Sequence, residues 1–263
     1  MNRRIWGLIY RHLCMYRRSW PRLAEIAYWP TLNMLIWGFT SSYISHMRTG
    51  PAVIAAGGLI GGVLFWEVSL RSQLGVTIGF LEEIWSRNLG HLFVSPLRPA
   101  ELILALMAVS AARTLVGLFP ATILAYLLYS YNIFAPGFVV LLFFANLLVM
   151  GWWMALGIVS LLFRYGAGAE ALAWTIAFGI TPLACVYYPV AALPVWLQPL
   201  AQVMPAAHVF EGLRAALLHK QFDAADLTLA ALLNVAWMIA ALALFAGEFH
   251  RARVRGALIS IGE

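Results

Sequence analysis

Residues 137–163 read GFVVLLFFANLLVMGWWMALGIVSLLF, twenty-seven positions without one charged side chain. As a helix rising 1.5 Å per residue this stretch covers about 40 Å, more than the roughly 30 Å of hydrocarbon in a bilayer. Working outward, segments 27–45, 52–70, 102–130, 171–190 and 227–247 meet or approach the same criterion. Together they predict an all-α membrane protein with six transmembrane helices in a single domain covering residues 1–263. Composition agrees. Of 263 residues, 63% are hydrophobic and 11% charged, whereas charged residues make up near a quarter of an ordinary soluble domain.

Seventeen Lys and Arg against eleven Asp and Glu give a net charge of +6, and sixteen of the cations are Arg. These charges interrupt apolar runs instead of forming a polar domain, so they report orientation in the bilayer, not a nucleic-acid partner. Arg3, Arg4, Arg11, Arg17, Arg18, Arg22, Arg71, Arg87, Arg98, Arg164, Arg251, Arg253 and Arg255 fall on one side of the predicted spans. Arg48, Arg214 and Lys220 fall on the other, and Arg113 lies inside a span. That asymmetry places both termini in the cytoplasm, as an even number of spans requires. The N-terminus has no small-residue cleavage site after a short apolar core, so the first run reads as retained. Cys14 and Cys185 lack the number and spacing of a disulfide framework or metal site.

Residues 1–22 sort by angle when wound at 100° per residue. Arg4, Arg11, Arg18 and Arg22 fall within about 40° of one another, opposite Ile5, Leu8, Ile9, Tyr16 and Trp20. The pattern predicts an amphipathic interfacial helix with its Arg side chains on lipid phosphates. In the second span, Gly57, Gly58, Gly61 and Gly62 permit close approach of another helix.

Two connections are more than loops. Region 78–98 contains Glu83 and Arg87 at i,i+4 and an apolar stripe of Ile84, Trp85, Leu89 and Leu92. Ser95-Pro96-Leu97-Arg98-Pro99 ends it, with Pro99 suited to the first turn of the next helix. This predicts a cytoplasmic helix that offers a docking surface. Region 191–226 is punctuated by Pro194, Pro199 and Pro205 and predicts two short Pro-opened helices dipping back into the outer leaflet as an external gate. Pro194, Trp196, His208, Glu211 and Arg214 are its gate candidates.

Catalytic chemistry is missing from the sequence. No Gly-Lys pair exists, so no phosphate-binding loop of the GxxxxGK[ST] kind can form. The six His show no metal-ligand spacing and no nucleophile elbow is present, so neither a catalytic residue nor a metal ligand is assigned. Polar groups within spans are candidate pathway residues. Glu67 and Arg113 sit near span ends and read as anchors, while Asn33, Asn146 and Asn234 read as helix bridges or pathway groups. The aromatic side chains of Trp153 and Tyr188 suit a sugar or a lipid.

The order of parts resembles the type-2 ATP-binding-cassette (ABC) exporter permeases. The likeness rests on Phe80-Leu81-Glu82-Glu83-Ile84 through Ser95-Pro96-Leu97-Arg98, and on Tyr188-Pro189-Val190-Ala191-Ala192-Leu193-Pro194-Val195-Trp196-Leu197 followed by Met204-Pro205 and Phe210-Glu211-Gly212-Leu213-Arg214. The resemblance implies a bacterial inner-membrane exporter subunit that dimerises, as a homodimer. It implies a separate ATPase subunit that binds ATP and Mg, so this chain carries no cofactor. Glu82, Glu83, Arg87, His91, Leu92 and Phe93 would be the docking residues for that subunit. Cargo in the family spans amphipathic lipid- or glycan-containing molecules and drugs. The alternative is an ion-coupled secondary transporter or channel, which would need a proton-relay carboxylate at mid-membrane.

Overall fold

The computed structural model describes residues 2–47, 51–135, 137–218 and 224–256. Arg48 and Lys220, two of the cations assigned to the outer side, lie outside the described residues. Among the described residues the chain is helical, with no strand: α1 (Asn2–Arg18), α2 (Trp20–Met47), α3 (Pro51–Trp85), α4 (Leu89–Val94), α5 (Pro99–Tyr129), α6 (Val139–Tyr165), α7 (Glu170–Ile180), α8 (Gln198–Gln202), α9 (Pro205–Leu218) and α10 (Ala224–Val254).

Among the described residues, α5, α6 and α10 are long and apolar enough to cross a membrane. They correspond to the predicted runs 102–130, 137–163 and 227–247, and α10 extends the last by three residues at its start and seven at its end. With 28 and 35 residues, α2 and α3 exceed the length of a span as well. The α3 helix is continuous, which corrects the division into a span 52–70 and a separate element beginning at 78. Its polar residues need not leave the helix because neighbouring helices take them in. Ser72, Gln73, Thr77 and Glu83 are all buried, and the Ser72 hydroxyl donates to the Leu148 carbonyl of α6 at 3.0 Å. Only α4, six residues long, stands as a separate helix there.

The expected fifth span, 171–190, is half a helix. α7 stops at Ile180 after 11 residues, because Pro182 lacks an N–H and crowds the residue before it. Turns follow, with Cys185 in the left-handed region at φ 53°. Ala184, Cys185 and Val186 are nonetheless buried, so this irregular backbone is enclosed by protein.

α3 and α6 form the centre. α2, α5, α7 and α9 pack against α3, and α9 and α10 against α6. Phe163 joins one end of the bundle, meeting Phe80 at 5.2 Å and Phe249 at 5.7 Å; α1 and α4 lie at this end. The other end carries α8, α9 and the start of α10. Arg3, Arg4, Arg11, Arg17 and Arg18 lie on α1, Arg22 reaches Glu82 and Arg113 reaches Tyr16 at the same end, whereas Arg214 lies on α9.

Small residues set the helix spacing. A Cβ on Gly151 would meet Ser72 Oγ at 1.7 Å and the Ser69 carbonyl at 2.5 Å, so α3 and α6 touch backbone to backbone there. Gly62 approaches the Val186 carbonyl, where a Cβ would lie at 2.9 Å, while a Cβ on Gly58 would meet nothing within 4 Å. Of the glycines singled out in this span, Gly62 is thus spent on packing within the chain. Gly151→Ala is expected to lower stability by about 3 kcal/mol, and Gly58→Ala to leave it unchanged or raise it by up to ~1 kcal/mol. Thermal unfolding in detergent checks both; a wild-type midpoint for Gly151→Ala would mean α3 and α6 can part freely.

Candidate functional site

At the α1 end the chain folds its basic helix onto its own acidic residues. α1 buries Leu8, His12 and Tyr16 against the bundle, with Ile5 and Ile9 half-buried beside them. The apolar face predicted to enter lipid therefore faces protein. The Arg face is largely occupied too. Arg11 pairs with Glu83, Arg4 donates to the Pro96 carbonyl and lies 3.8 Å from Glu101, and Arg22 lies 3.3 Å from Glu82. Arg22 belongs to α2, since α1 ends at Arg18, so the four cations do not share one helix. Arg18 stays exposed. The outward face of α1 instead displays Trp6, Tyr10 and Leu13, which are 66%, 70% and 44% exposed.

This packing changes the docking assignment. Glu83 is buried and held by Arg11 and by the Asn88 amide at 2.7 Å, with the His12 ring 3.4 Å away, so it is closed to a partner. The expected Glu83–Arg87 pair is replaced by these contacts, because Arg87 has left the helix. Its φ is 52°, and the Arg87 N–H reaches the Ile84 carbonyl while the Asn88 N–H reaches that of Glu83, both at 2.9 Å. That pair of bonds is a Schellman stop, whose left-handed position favours Gly. Glu82 is half-buried, and Leu92 packs on the core. Arg87 and His91 are exposed, as are Trp85 of the predicted stripe at 51% and Val94 at 90%, the latter a residue that spacing did not single out. The Phe93 side chain lies outside the described residues. Past α4, the Glu101 carboxylate accepts the Arg98 backbone N–H at 2.8 Å and Pro99 opens α5.

Inside the bundle, the pathway candidates are engaged with their own neighbours. Asn33 donates to Glu67 at 2.6 Å, and Arg71 holds the other Glu67 oxygen at 2.9 Å. Trp153 Nε1 donates to Asn234 at 3.0 Å, and Asn234 donates to Asn146. The Tyr188 hydroxyl donates to the Pro182 carbonyl. Arg113 donates to the Tyr16 hydroxyl at 2.7 Å, a protein partner in place of the phosphate its position suggested. Between α3, α5 and α6 lies an open groove of about 590 Å³, walled by Phe65, Leu118, Phe119 and Phe144 with Tyr131 and Asn132 at its rim.

The gate candidates divide into two groups. Pro194 and Trp196 are exposed on the surface. Glu211 and Arg214 pair at 3.1 Å and grip the irregular segment beyond α7: Glu211 accepts the Val190 N–H at 2.7 Å, and Arg214 donates to the Cys185 carbonyl at 2.9 Å. His208 bridges Gln202 and Asp226. Among the described residues no group of three His, Cys, Asp or Glu could hold a metal ion.

His12 generates a pH prediction. Burial, helped by the charges of Arg11 and Arg113, pulls its pKa down to about 4. Its folded pKa lies below the unfolded value, so the unfolded chain binds the proton first. Stability is full above about pH 6.5 and falls as pH drops toward 4. The loss attributable to His12 is about 2–3 kcal/mol. Thermal midpoints from pH 7 to 4.5 should fall more steeply for wild type than for His12→Asn if the assignment is right, and run parallel if it is wrong. Arg87→Gly should gain up to ~1 kcal/mol in the same assay, by relieving the left-handed residue.

The described geometry thus combines several apolar membrane-length helices, a short exposed helix at one end and a broken helix at the other. No curated protein matches this chain closely. One family model does match, that described as the ABC-2 type transporter, over residues 3–218. It covers α1 through α9, including the α4 region and the outer element, and most of the chain. The protein is a multi-pass membrane protein that belongs to the ABC-2 type transporter family.

Proposed function

We propose that this chain is the transmembrane subunit of an ABC exporter that works as a homodimer in a bacterial inner membrane. It has six membrane-crossing segments, α7 with its irregular extension being the fifth, and both termini in the cytoplasm. Membership of the family implies a partner ATPase subunit; in this reading that subunit binds ATP and Mg. The observation that carries the reading is the single helix α3. It starts from the tight Gly62–Val186 contact and the Trp66–Phe210 ring contact at 6.4 Å beneath the outer element, and ends at the exposed Trp85 beside α4. From residue 62 to 85 this is about 35 Å of uninterrupted helix. A force applied at the Trp85 end of α3 would reach the gate within one helix.

The cargo we propose is an amphipathic, lipid- or glycan-containing molecule moved outward. The groove between α3, α5 and α6 supports this, since its wall is apolar and its rim carries Tyr131 and Asn132. Glu67 is spent on Arg71 and Asn33, which weighs against a proton relay and hence against an ion-coupled carrier. Membrane lipids meet the outward face of α1, where Trp6 and Tyr10 stand beside Arg3 and Arg17, a composition suited to an anionic interface.

Docking of the ATPase is assigned to Trp85, Arg87, His91 and Val94. Val94→Asp should reduce co-purification with the cognate ATPase at least tenfold without changing the thermal midpoint of the permease. Glu83→Gln should lower that midpoint, because it weakens the acceptor of Arg11 and Asn88. Undiminished co-purification of Val94→Asp and Trp85→Ala would remove this surface from consideration. The isolated chain should show no ATPase activity.

A further inference from the structure

Two arginines bracket α4, and the fold leaves both without an acid. The segment runs Arg87-Asn88-Leu89-Gly90-His91-Leu92-Phe93-Val94-Ser95-Pro96-Leu97-Arg98. Arg87 and Arg98 are exposed, and among the described residues no carboxylate lies within ion-pair distance of either. The cations of α1 and α2 beside them behave differently. Arg11 holds Glu83, Arg22 lies 3.3 Å from Glu82 and Arg4 lies 3.8 Å from Glu101. The three carboxylates that flank α4 in the chain are thus turned toward α1 and the start of α2. Folding thereby sets the sign of this surface: it presents two unpaired cations and no free acid, around an apolar tip of Trp85 and Val94. α4 also stands clear of lipid tails. It joins the end of α3 to the start of α5, and their 35 and 31 residues make helices of about 52 and 46 Å, against roughly 30 Å of hydrocarbon.

We propose that the surface receiving α4 is acidic: a cleft on the ATPase subunit with an apolar floor for Trp85 and Val94, and with Asp or Glu side chains at both ends to meet Arg87 and Arg98. The inference rests on the docking reading above and adds the sign of the partner's charge, which is the reverse of the sign that docking through Glu82 and Glu83 would require. Arginine suits the role, because its planar fork gives a carboxylate two parallel hydrogen bonds. Charges at the rim of an interface govern association rate, register and salt sensitivity, while the apolar centre supplies most of the affinity. The two arginines therefore orient α4 in the cleft, and Trp85 and Val94 hold it there.

Carbodiimide coupling tests the sign directly. The sequence has a single lysine, Lys220, so Arg87→Lys and Arg98→Lys each add one side-chain amine beside α4. The reagent activates a carboxylate, and an amine in salt-bridge contact displaces it to leave an amide bond with no spacer. The full-length permease in nanodiscs, bound to its cognate ATPase, should then yield crosslinks absent from wild type that join position 87 or 98 to an Asp or Glu of the ATPase. In parallel, Arg87→Glu with Arg98→Glu should weaken binding about tenfold, and Arg87→Lys with Arg98→Lys by no more than about threefold. Raising NaCl from about 50 to about 300 mM should weaken wild type about fivefold and leave Arg87→Gln with Arg98→Gln nearly unchanged. Unaltered thermal midpoints check that each variant is folded. Absence of the new crosslinks, with wild-type binding by the glutamate variant and loss of binding by Val94→Asp, overturns the acidic cleft and leaves the docking reading standing. Wild-type binding by Val94→Asp as well overturns both. A loss on charge reversal seen in nanodiscs containing phosphatidylglycerol and missing in phosphatidylcholine alone assigns the arginines to lipid, which also overturns the proposal.

Discussion

The contact of α3 with α6 at Gly151 governs the rest of the bundle. With no Cβ at that position, the Ser72 side chain and the Ser69 carbonyl occupy the space a side chain would take, and the Ser72 hydroxyl closes the seam by donating to Leu148. Without a water-driven hydrophobic force between helices in lipid, close van der Waals packing and interhelical hydrogen bonds hold such bundles together. Because the seam takes up polar groups, α3 can run unbroken through a sequence that looks too polar to be one helix. Gly75 and Gly79 repeat the device against α5, where added Cβ atoms would meet Ser110 at 2.6 Å and Leu106 at 2.9 Å.

A continuous α3 gives the two ends of the molecule a mechanical link. At one end lie α4 and the clamp of α1 on Glu83; at the other lie Val186 and Phe210. The clamp has an electrostatic logic. A buried carboxylate needs compensation, and Arg11 supplies it from a helix whose Leu8 and Tyr16 already pack on the bundle. His12 fills the same seam as a neutral ring, since burial, helped by two nearby guanidinium groups, disfavours another positive charge. The surface left exposed beside the clamp is small and carries Trp85, Arg87, His91 and Val94, with Glu83 turned inward.

The segment from the end of α7 through α9 follows a related rule. Irregular backbone between Thr181 and Pro189 exposes carbonyl and amide groups that helices would have paired, and α9 returns with Arg214 and Glu211 to satisfy Cys185 and Val190. The broken helix and α9 are therefore one unit, which also packs on α8 and α10 and meets them through His208.

Apolar run length, charge asymmetry and proline placement are local properties, so the sequence by itself determined an all-helical membrane protein, the runs that became α5, α6 and α10, the start of α5 at Pro99 and the short Pro-opened helices near 198 and 205. The missing Gly-Lys pair was equally legible. Tertiary structure decided which partner each polar group found. Arg11 and Arg22 suit lipid phosphate on a helical wheel, yet they meet Glu83 and Glu82, which are some sixty to seventy residues away in the chain. Glu83 and Arg87 have helical spacing, yet a left-handed turn separates them. Residues 171–190 are apolar throughout, yet α7 stops at Ile180, since α9 can pair the backbone that the helix leaves open. Run length depends on neighbours in sequence, whereas pairing of charges and backbone depends on neighbours in space, which only the folded chain brings together.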